Sequence, residues 1–354
     1  MRAVIIGAFG NFGARICRAL QANPGIEVVA SSRSAGVRLD IGSARFADAL
    51  GKLSPDLVIH CAGPFQGQGY GVASAALAAG AHYLDLADGR DFVAKFREHN
   101  DIAAREANRI AISGASTLPA LSSAVIDSLQ GRFRQLDEIH IAIAPGQRAR
   151  RGAATLAGVF SYAGKSFKWL VEGKWTDAWG WQELRRIQID GLGTRWAAAC
   201  DVPDLELLPA RYAGVQTVQF RAALELGVHH LALWSAAGLR RAGIPLPLER
   251  WARLLDRAAS WLDAFGSERG GMLVSVEGKK ADGSRARAEW HLVADANHGP
   301  EIPCMAAILL ARKLARGEIA QCGAHPCMGF LTLADFEPEF ACWKILTKLK
   351  EHAA

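Results

Sequence analysis

Short apolar runs alternate with stretches of helical spacing along the first third of the chain. The first run, residues 3–6, is uninterrupted and is typical of a strand buried on both faces. The alternation predicts an α/β fold in which a doubly wound parallel sheet has right-handed crossovers. Ligands of such sheets bind beyond the carboxyl ends of the strands. The other strands predicted here are residues 26–30, 37–39, 56–60, 82–86 and 110–113, with helices over 72–79 and 91–108.

The pattern changes after residue 121. Residues 136–144 alternate between apolar and polar positions as a half-buried strand does, and residues 272–277 and 286–294 alternate on either side of an Asp-Gly turn, which predicts a hairpin. Helices are predicted over 153–162, 245–265 and 303–316. The second of these has a continuous apolar stripe that includes Trp251, Leu254, Trp261 and Phe265. These patterns therefore predict a mixed α+β domain in the middle third of the chain.

A glycine turn follows the first strand directly and opens the first helix. Gly7 permits a tight turn, Gly10 lets the backbone approach a pyrophosphate, and Gly13 lets the helix pack close to the strand. The alternative is a plain β–α unit whose glycines serve only packing. The order of strand, glycine turn and helix favours a dinucleotide site. The residues predicted to hold the cofactor in this loop are Gly7, Ala8, Phe9, Gly10, Asn11, Phe12 and Gly13.

The end of the second strand indicates which dinucleotide is bound. Sites that prefer NAD carry an acid about 20 residues beyond the glycines. This chain has Ser-Ser-Arg-Ser at 31–34 instead, so Ser32 and Arg33 are candidates to bind a 2′-phosphate. The alternative is a surface loop that happens to contain an arginine. We expect NADP(H), with NAD(H) as the alternative, and Asp40 after the third strand is a candidate for the adenine edge.

Composition and charge exclude other classes of protein. Half of the 354 residues are apolar and a fifth are charged, as in globular proteins, and the length suits two domains. The net charge of +6 comes with no basic helix, so we expect no nucleic acid and an anionic small substrate. No apolar run is long enough to span a bilayer, and no membrane partner is expected. Seven cysteines and an opening strand suit a cytoplasmic protein without a signal peptide.

Three segments resemble the saccharopine dehydrogenase-like NADP-binding proteins: GAFGNFG, CAGPFQGQGYGVASAALAAGAHYLDLADGRDF and GASTLPALSSAV. The resemblance is good over residues 1–130 and weaker afterwards. It implies a Rossmann domain (1–120), an inserted α+β domain for substrate and dimerisation (121–299), and C-terminal helices that return to the Rossmann domain (300–354). It also implies that the loop after the fourth strand lines the nicotinamide side of the cofactor. The residues of that loop are Cys61, Ala62, Gly63, Pro64 and Phe65.

Few residues suit the proton transfer that a nicotinamide enzyme has to manage. Asp88 follows the fifth strand and is suited to hold an ammonium or relay a proton if burial raises its pKa, although a helix cap or loop brace is an equal alternative. His298 has the better intrinsic pKa for a proton donor, and only the expected architecture puts it in the cleft. The Cys-x4-Cys spacing near the C-terminus is not a usual zinc pair, so no metal site is predicted.

Basic side chains are the candidates to bind the substrate. Residues 146–152 form a basic loop between glycines, and its arginines are suited to clamp a carboxylate, although a solvated basic turn explains them as well. The predicted substrate-binding residues are Arg90, Arg148, Arg151 and Tyr162. The leading hypothesis is an NADP(H)-dependent oxidoreductase that reduces an imine or carbonyl of an anionic, amino-acid-like molecule, or runs the reverse reaction. The alternative is an NADP(H)-binding sensor or scaffold without turnover, and a homodimer through the middle domain is expected in either case.

Overall fold

The computed structural model describes residues 1–149 and 152–353, and in it the chain divides into two compact units. The first unit comprises Met1–Leu121 and Pro300–Leu331, and the second comprises Ser122–Gly299 and the chain from Thr332 onwards. The strands are β1 (Arg2–Ile6), β2 (Glu27–Ser32), β3 (Val37–Arg38), β4 (Leu57–His60), β5 (His82–Asp85), β6 (Ile110–Ser113), β7 (Gln135–Ala144), β8 (Ser166–Val171), β9 (Lys174–Trp179), β10 (Arg185–Ile189), β11 (Gly193–Ala199), β12 (Thr217–Ala223), β13 (Gly270–Lys279), β14 (Arg285–Ala294), β15 (Gly323–Pro326) and β16 (Leu346–Ala353).

The helices of the described residues are numbered in chain order, like the strands. They are α1 (Gly13–Gln21), α2 (Phe46–Gly51), α3 (Gly71–Ala78), α4 (Arg90–Ala94), α5 (Phe96–Glu106), α6 (Ser122–Gln130), α7 (Ala153–Ser161), α8 (Asp204–Arg211), α9 (Gly227–Arg241), α10 (Leu248–Ser260), α11 (Ile302–Ala315) and α12 (Leu333–Cys342), with short helical turns at Thr117–Leu121, Asp263–Phe265 and Gly299–Glu301. Among the described residues, no helix combines the length and the apolar character that crossing a bilayer requires.

The first unit contains a parallel sheet of seven strands in the order β15-β6-β5-β4-β1-β2-β3. Strands β4 and β6 are buried along their whole length, because helices on both faces of a parallel sheet leave no polar side. The chain runs from β1 outwards to β3 on one side and then returns to β4 on the other side of β1. The order therefore reverses between β1 and β4, and this switch point is where ligands of doubly wound sheets bind. The predicted fold class is confirmed.

The second unit contains a mixed sheet in the order β10-β11-β12-β7-β13-β14-β16, to which the β8–β9 hairpin adds through β12. The predicted hairpin is present: β13 and β14 pair antiparallel, and the turn between them includes Gly283 with φ +85°. Apolar positions of one sheet face alternate with polar positions of the other, which is the pattern that predicted β7. Strands β8 to β11 and the last strand, β16, were not predicted from the sequence.

The C-terminal segment differs from its prediction. Residues 300–331 belong to the first unit and supply both α11 and the edge strand β15. The chain from Thr332 onwards belongs to the second unit, because β16 pairs with β14 over eight positions from Leu346 to Ala353. The prediction that all of residues 300–354 return to the Rossmann domain is therefore wrong for its last part.

Candidate functional site

The loop after β1 is a compact turn that requires glycine. Gly7 has φ +81°, and the amides of Gly7 and Ala8 both donate to the carbonyl of Ser31 at 3.0 Å. A Cβ atom at Gly13 would lie 2.2 Å from the carbonyl oxygen of Gly7, and one at Gly10 would lie 3.2 Å from the same oxygen. Side chains at these positions would fill the turn, so α1 begins close to the end of the strand as a dinucleotide site requires.

The first turn of α1 is suited to bind an anion. Phe12 is the N-cap residue, its side chain caps no amide, and the first turn contains no acid. Within the described part of the chain, the amides of Phe12 and Gly13 have no hydrogen-bond acceptor. Two N–H groups at the positive end of the helix dipole are therefore available to a phosphate.

The loop is braced by the returning segment of the chain. Arg15 donates from Nη1 to the side-chain oxygen of Asn11 at 2.7 Å and from Nε to Glu301 at 2.7 Å. The thiol of Cys304 on α11 contacts the carbonyl oxygen of Phe12 at 3.6 Å. The oxygen of the predicted cofactor residue Asn11 is therefore engaged in holding the loop. Neither Arg15 nor Glu301 was identified from the sequence, because residues 286 positions apart carry no local signal.

Two arginines lie near the end of β2, one in the turn that follows it and one on the neighbouring strand β3. Arg33 is exposed at the tip of a turn, and Arg38 on β3 lies in register with Ser32. In residues 1–149 and 152–353 neither guanidinium has a hydrogen-bond or ion-pair partner. The Ser32 hydroxyl is already used, since it donates to the carbonyl of Ala35 at 2.9 Å and accepts from the Ala35 amide at 2.9 Å. Arg38 was not identified from the sequence, because only the pairing of β2 with β3 brings it beside Ser32.

Asp40 has a local structural role. Its side chain accepts a hydrogen bond from the Gly42 amide at 3.1 Å, which closes an Asx turn, and the residue is exposed. Its predicted contact with an adenine edge stays a prediction.

The loop after β4 is held by His60 and Gln68. The His60 ring is buried; its Nδ1 accepts from the Ala62 amide at 3.4 Å, so Nε2 carries the proton and donates to Oε1 of Gln68 at 3.1 Å. The Gln68 amide group in turn donates to the carbonyls of Ala62 at 2.9 Å and Pro64 at 2.8 Å. Burial lowers the pKa of His60 to about 4, so the ring stays neutral. The backbone of this loop is therefore fixed by two side chains that the sequence analysis did not identify.

The loops after β1 and β4 touch at the switch point. A Cβ atom at Gly7 would lie 3.1 Å from the backbone nitrogen of Ala62, so the predicted pyrophosphate and nicotinamide segments lie side by side. Phe65 is different, because its ring is only 4% exposed and packs edge-on against His60 and Phe92 at 5.0 and 5.4 Å. The predicted place of Phe65 on the nicotinamide side of the cofactor stays a prediction. Burial raises the pKa of the Cys61 thiol well above its usual value, so this residue is not a thiolate.

Asp88 lies beside the same loop. Its carboxylate accepts from the side-chain amide of Gln66 at 3.2 Å, and burial raises its pKa. A Cβ atom at the neighbouring Gly89 would lie 3.4 Å from the Gln66 backbone nitrogen, so the loops after β4 and β5 are closely packed. Arg90 follows as the first residue of α4 and is half-buried. The structure thus brings Asp88 to the carboxyl edge of the sheet.

Asp85 is a brace below this edge. It is fully buried and accepts from the Ser113 hydroxyl at 3.0 Å and from the amides of Gly114 and Ala87 at 2.8 and 2.9 Å. These contacts join the ends of β5 and β6. Burial raises its pKa to about 6 although the hydrogen bonds lower it. The segment expected at the mouth of the site therefore has one fully buried acid, Asp85, and one half-buried acid, Asp88.

The remaining predicted site residues belong to the second unit. Arg148 is exposed and donates from Nε to the carbonyl of Asp263 at 2.9 Å. Tyr162 hydrogen-bonds to the thiol of Cys200. His298 donates from Nδ1 to the carbonyl of Trp343 at 2.7 Å. Arg151 lies outside the described residues. The action of these four residues on a substrate stays a prediction.

No protein-family model matches the sequence, and no curated protein matches it in a sequence comparison. Solved structures do match in fold. Apo saccharopine dehydrogenase (L-Glu forming) from Saccharomyces cerevisiae aligns with a TM-score of 0.68 at 12% identity, over 99% of this chain and 100% of that chain. DAP dehydrogenase of C. glutamicum, solved with DAP, aligns at 0.52 and 16% identity, over 96% and 98%. An engineered D-amino acid dehydrogenase bound to NADP+ aligns at 0.51 and 16% identity, again over 96% and 98%. The chain therefore has the fold of these dehydrogenases, as the resemblance implied.

Proposed function

We propose that this protein is an NADP(H)-dependent oxidoreductase that acts on a C–N or C–O centre of an anionic, amino-acid-like molecule. The observation that supports it most is the glycine turn at the switch point. A Cβ atom at Gly13 would lie 2.2 Å from the Gly7 carbonyl oxygen, and the uncapped start of α1 offers the amides of Phe12 and Gly13. These groups fit a pyrophosphate, and the neighbouring backbone of 61–64 fits the nicotinamide side.

The preference for NADP(H) is supported by the charge at the end of β2. Arg33 and Arg38 are exposed cations without partners among the described residues, and no acid occupies 31–34. A guanidinium pairs with a phosphate through two parallel N–H groups, whereas an acid here would repel it. We propose that Arg33 binds the 2′-phosphate and that Arg38 adds a second positive charge.

The chemical step needs a hydride, which a bound nicotinamide supplies. The residues of this chain then have to orient the substrate and hold one proton. Asp88 is suited to hold this proton, because burial raises its pKa and because it lies beside the loop after β4. Arg90, Arg148 and Arg151 are candidates to bind the carboxylate of the substrate, with Tyr162 and His298 as further polar candidates. The matching structures bear the names of amino-acid dehydrogenases, which supports this substrate class.

Steady-state turnover tests the proposal. We expect NADPH oxidation with a keto acid and an amine, or NADP+ reduction with an amino acid, in a panel of such substrates. Arg33→Glu should shift the preference from NADPH to NADH, while Arg97→Glu on exposed α5 should leave it unchanged. An unchanged preference in Arg33→Glu would contradict the assigned phosphate contact. Tight NADPH binding with no oxidation by any substrate would favour a sensor instead of an enzyme.

A further inference from the structure

Two consecutive helices of the second unit leave a row of large apolar side chains in solvent. On α10 and the turn after it, Leu254 is 66%, Trp261 84% and Phe265 77% exposed. On α9, Val228 is 60% and Leu239 48% exposed. Isolated apolar residues on a surface are ordinary, but contiguous patches mark interaction sites. The members of this surface, called the α9–α10 face below, are Val228, Leu231, Trp234, Leu239, Trp251, Leu254, Trp261 and Phe265.

The helices α9 and α10 run in opposite directions, and their ends are linked. Near the start of α9, His229 bonds to Oε1 of Gln147 at 3.1 Å, and Nε2 of the same glutamine donates to the carbonyl of Ala259 near the end of α10 at 3.0 Å. At the opposite ends, Arg240 pairs with Glu249 at 2.8 Å. Val228 and Trp261 therefore lie at the same end of the helix pair.

The apolar stripe of α10 is only partly covered. The helix packs against α7, and its buried residues are Leu248 and Ala252. Leu254 and Trp261 are seven residues apart, so they share a flank of the helix turned away from those two. The sequence predicted one apolar stripe here, and the structure buries Leu248 but leaves Leu254, Trp261 and Phe265 exposed. These exposed side chains are not covered by any residue that the structure describes.

Arginines border the exposed flank. Arg250, Arg253 and Arg257 are exposed and lie within about 60° of one another around the helix, beside Leu254 and Trp261. None of the three forms an ion pair with a described residue. Of the carboxylates on α10, Glu249 pairs with Arg240, and Asp256 forms no ion pair with a described residue. The three arginines outnumber this one unpaired carboxylate, so α10 carries an excess of positive charge beside Leu254 and Trp261.

We propose that the α9–α10 face docks the protein on the surface of a membrane that contains anionic phospholipids. Tryptophan and phenylalanine beside arginine on one helix flank are the composition of helices that lie in the membrane interface. The apolar side chains enter the acyl boundary, and the arginines contact lipid phosphates. This surface differs from the sequence expectation of no membrane partner, which rested on the absence of a spanning segment.

Vesicle flotation of the full chain tests the proposal. We expect binding to vesicles of phosphatidylcholine mixed with phosphatidylglycerol, weak binding to phosphatidylcholine alone, and release by added salt. The triple variant Arg250→Gln, Arg253→Gln, Arg257→Gln should bind about 100-fold more weakly, since each arginine near an anionic surface contributes about fivefold. The double variant Trp261→Ser, Phe265→Ser should lose binding to both kinds of vesicle.

Matched controls lie on α5 of the first unit. Ile102→Ser removes a side chain that is 73% exposed, and Arg97→Gln removes an exposed arginine, and neither should change flotation. Thermal unfolding of each variant verifies that it folds. The proposal is overturned if the wild-type chain stays unbound with the anionic vesicles, or if the double and triple variants float as well as the wild type. A wild-type dimer that Trp261→Ser, Phe265→Ser converts to monomer, without vesicle binding, assigns the surface to a second copy.

Discussion

Arg15 and Glu301 form an ion pair at 2.7 Å between the first helix of the chain and a turn 286 residues later. Both side chains are mostly buried, with 17% and 10% exposed. The same guanidinium holds Asn11, so one side chain fixes the glycine loop to the returning segment. The shape of the glycine loop therefore depends on residues from both ends of the first unit.

The first prediction concerns Arg15. Arg15→Met leaves the Glu301 carboxylate buried without its partner, so we expect the free energy of unfolding to fall by about 2–4 kcal/mol. NADPH binding should weaken too, because Asn11 loses its hydrogen bond. Arg18→Met is the control, since this exposed arginine lies on the same helix. Urea unfolding and NADPH titration measure both effects, and equal stability of the two variants would disprove the role of the pair.

The second prediction concerns the glycine turn. Gly13→Ala puts a methyl group 2.2 Å from the Gly7 carbonyl oxygen, so we expect loss of NADPH binding and a loss of stability of about 1–3 kcal/mol. In Gly51→Ala the new methyl group meets nothing within 4 Å at the end of α2, so binding should be unchanged. Normal NADPH affinity in Gly13→Ala would show that the loop is not the phosphate site.

The third prediction concerns two buried groups with opposite pH dependence. His60 has a folded pKa of about 4 against 6.5, so the unfolded chain binds more protons between these values and stability rises with pH there. Asp85 has a folded pKa of about 6 against 3.8, so the folded chain binds more protons between these values and stability falls with pH. Each group contributes about 3 kcal/mol over its range, and the two contributions largely cancel in the wild type.

Single substitutions separate the two groups. In Asp85→Asn, the free energy of unfolding should rise with pH more steeply than in the wild type between about pH 4 and about pH 6, because the opposing group is gone. In His60→Gln it should fall relative to the wild type as pH rises through the same range. Urea titrations at several pH values measure these slopes. Parallel slopes in all three proteins would refute the assigned protonation states.

The parallel sheet was predictable because its strands are buried on both faces. Burial on both faces produces uninterrupted apolar runs such as residues 57–59, and glycines at fixed spacing predict the turn between β1 and α1. The last strand was not predictable in the same way. β16 lies at the edge of its sheet and carries Lys348, Lys350 and His352, which suit an edge strand but give no apolar run.

The parts of the candidate site that depend on local backbone conformation could be predicted from the sequence. The parts that depend on strand pairing or on the fold of a loop could not. The Gly7–Gly13 turn follows from sequence spacing alone. Arg38 comes beside Ser32 only through strand pairing, and Gln68 reaches Ala62 only through the fold of its loop. The exposure of Trp261 could not be predicted from the sequence either, because an amphipathic pattern indicates an apolar stripe without showing what covers it.

The central claim is that the turn between β1 and α1 holds a phosphorylated nicotinamide dinucleotide, with Arg33 selecting the extra phosphate. Calorimetric titration of the wild-type chain with NADPH and with NADH tests it most directly. The account predicts saturable binding of one NADPH per chain and clearly weaker binding of NADH. Absence of binding to both nucleotides, or equal affinity for the two, would contradict it.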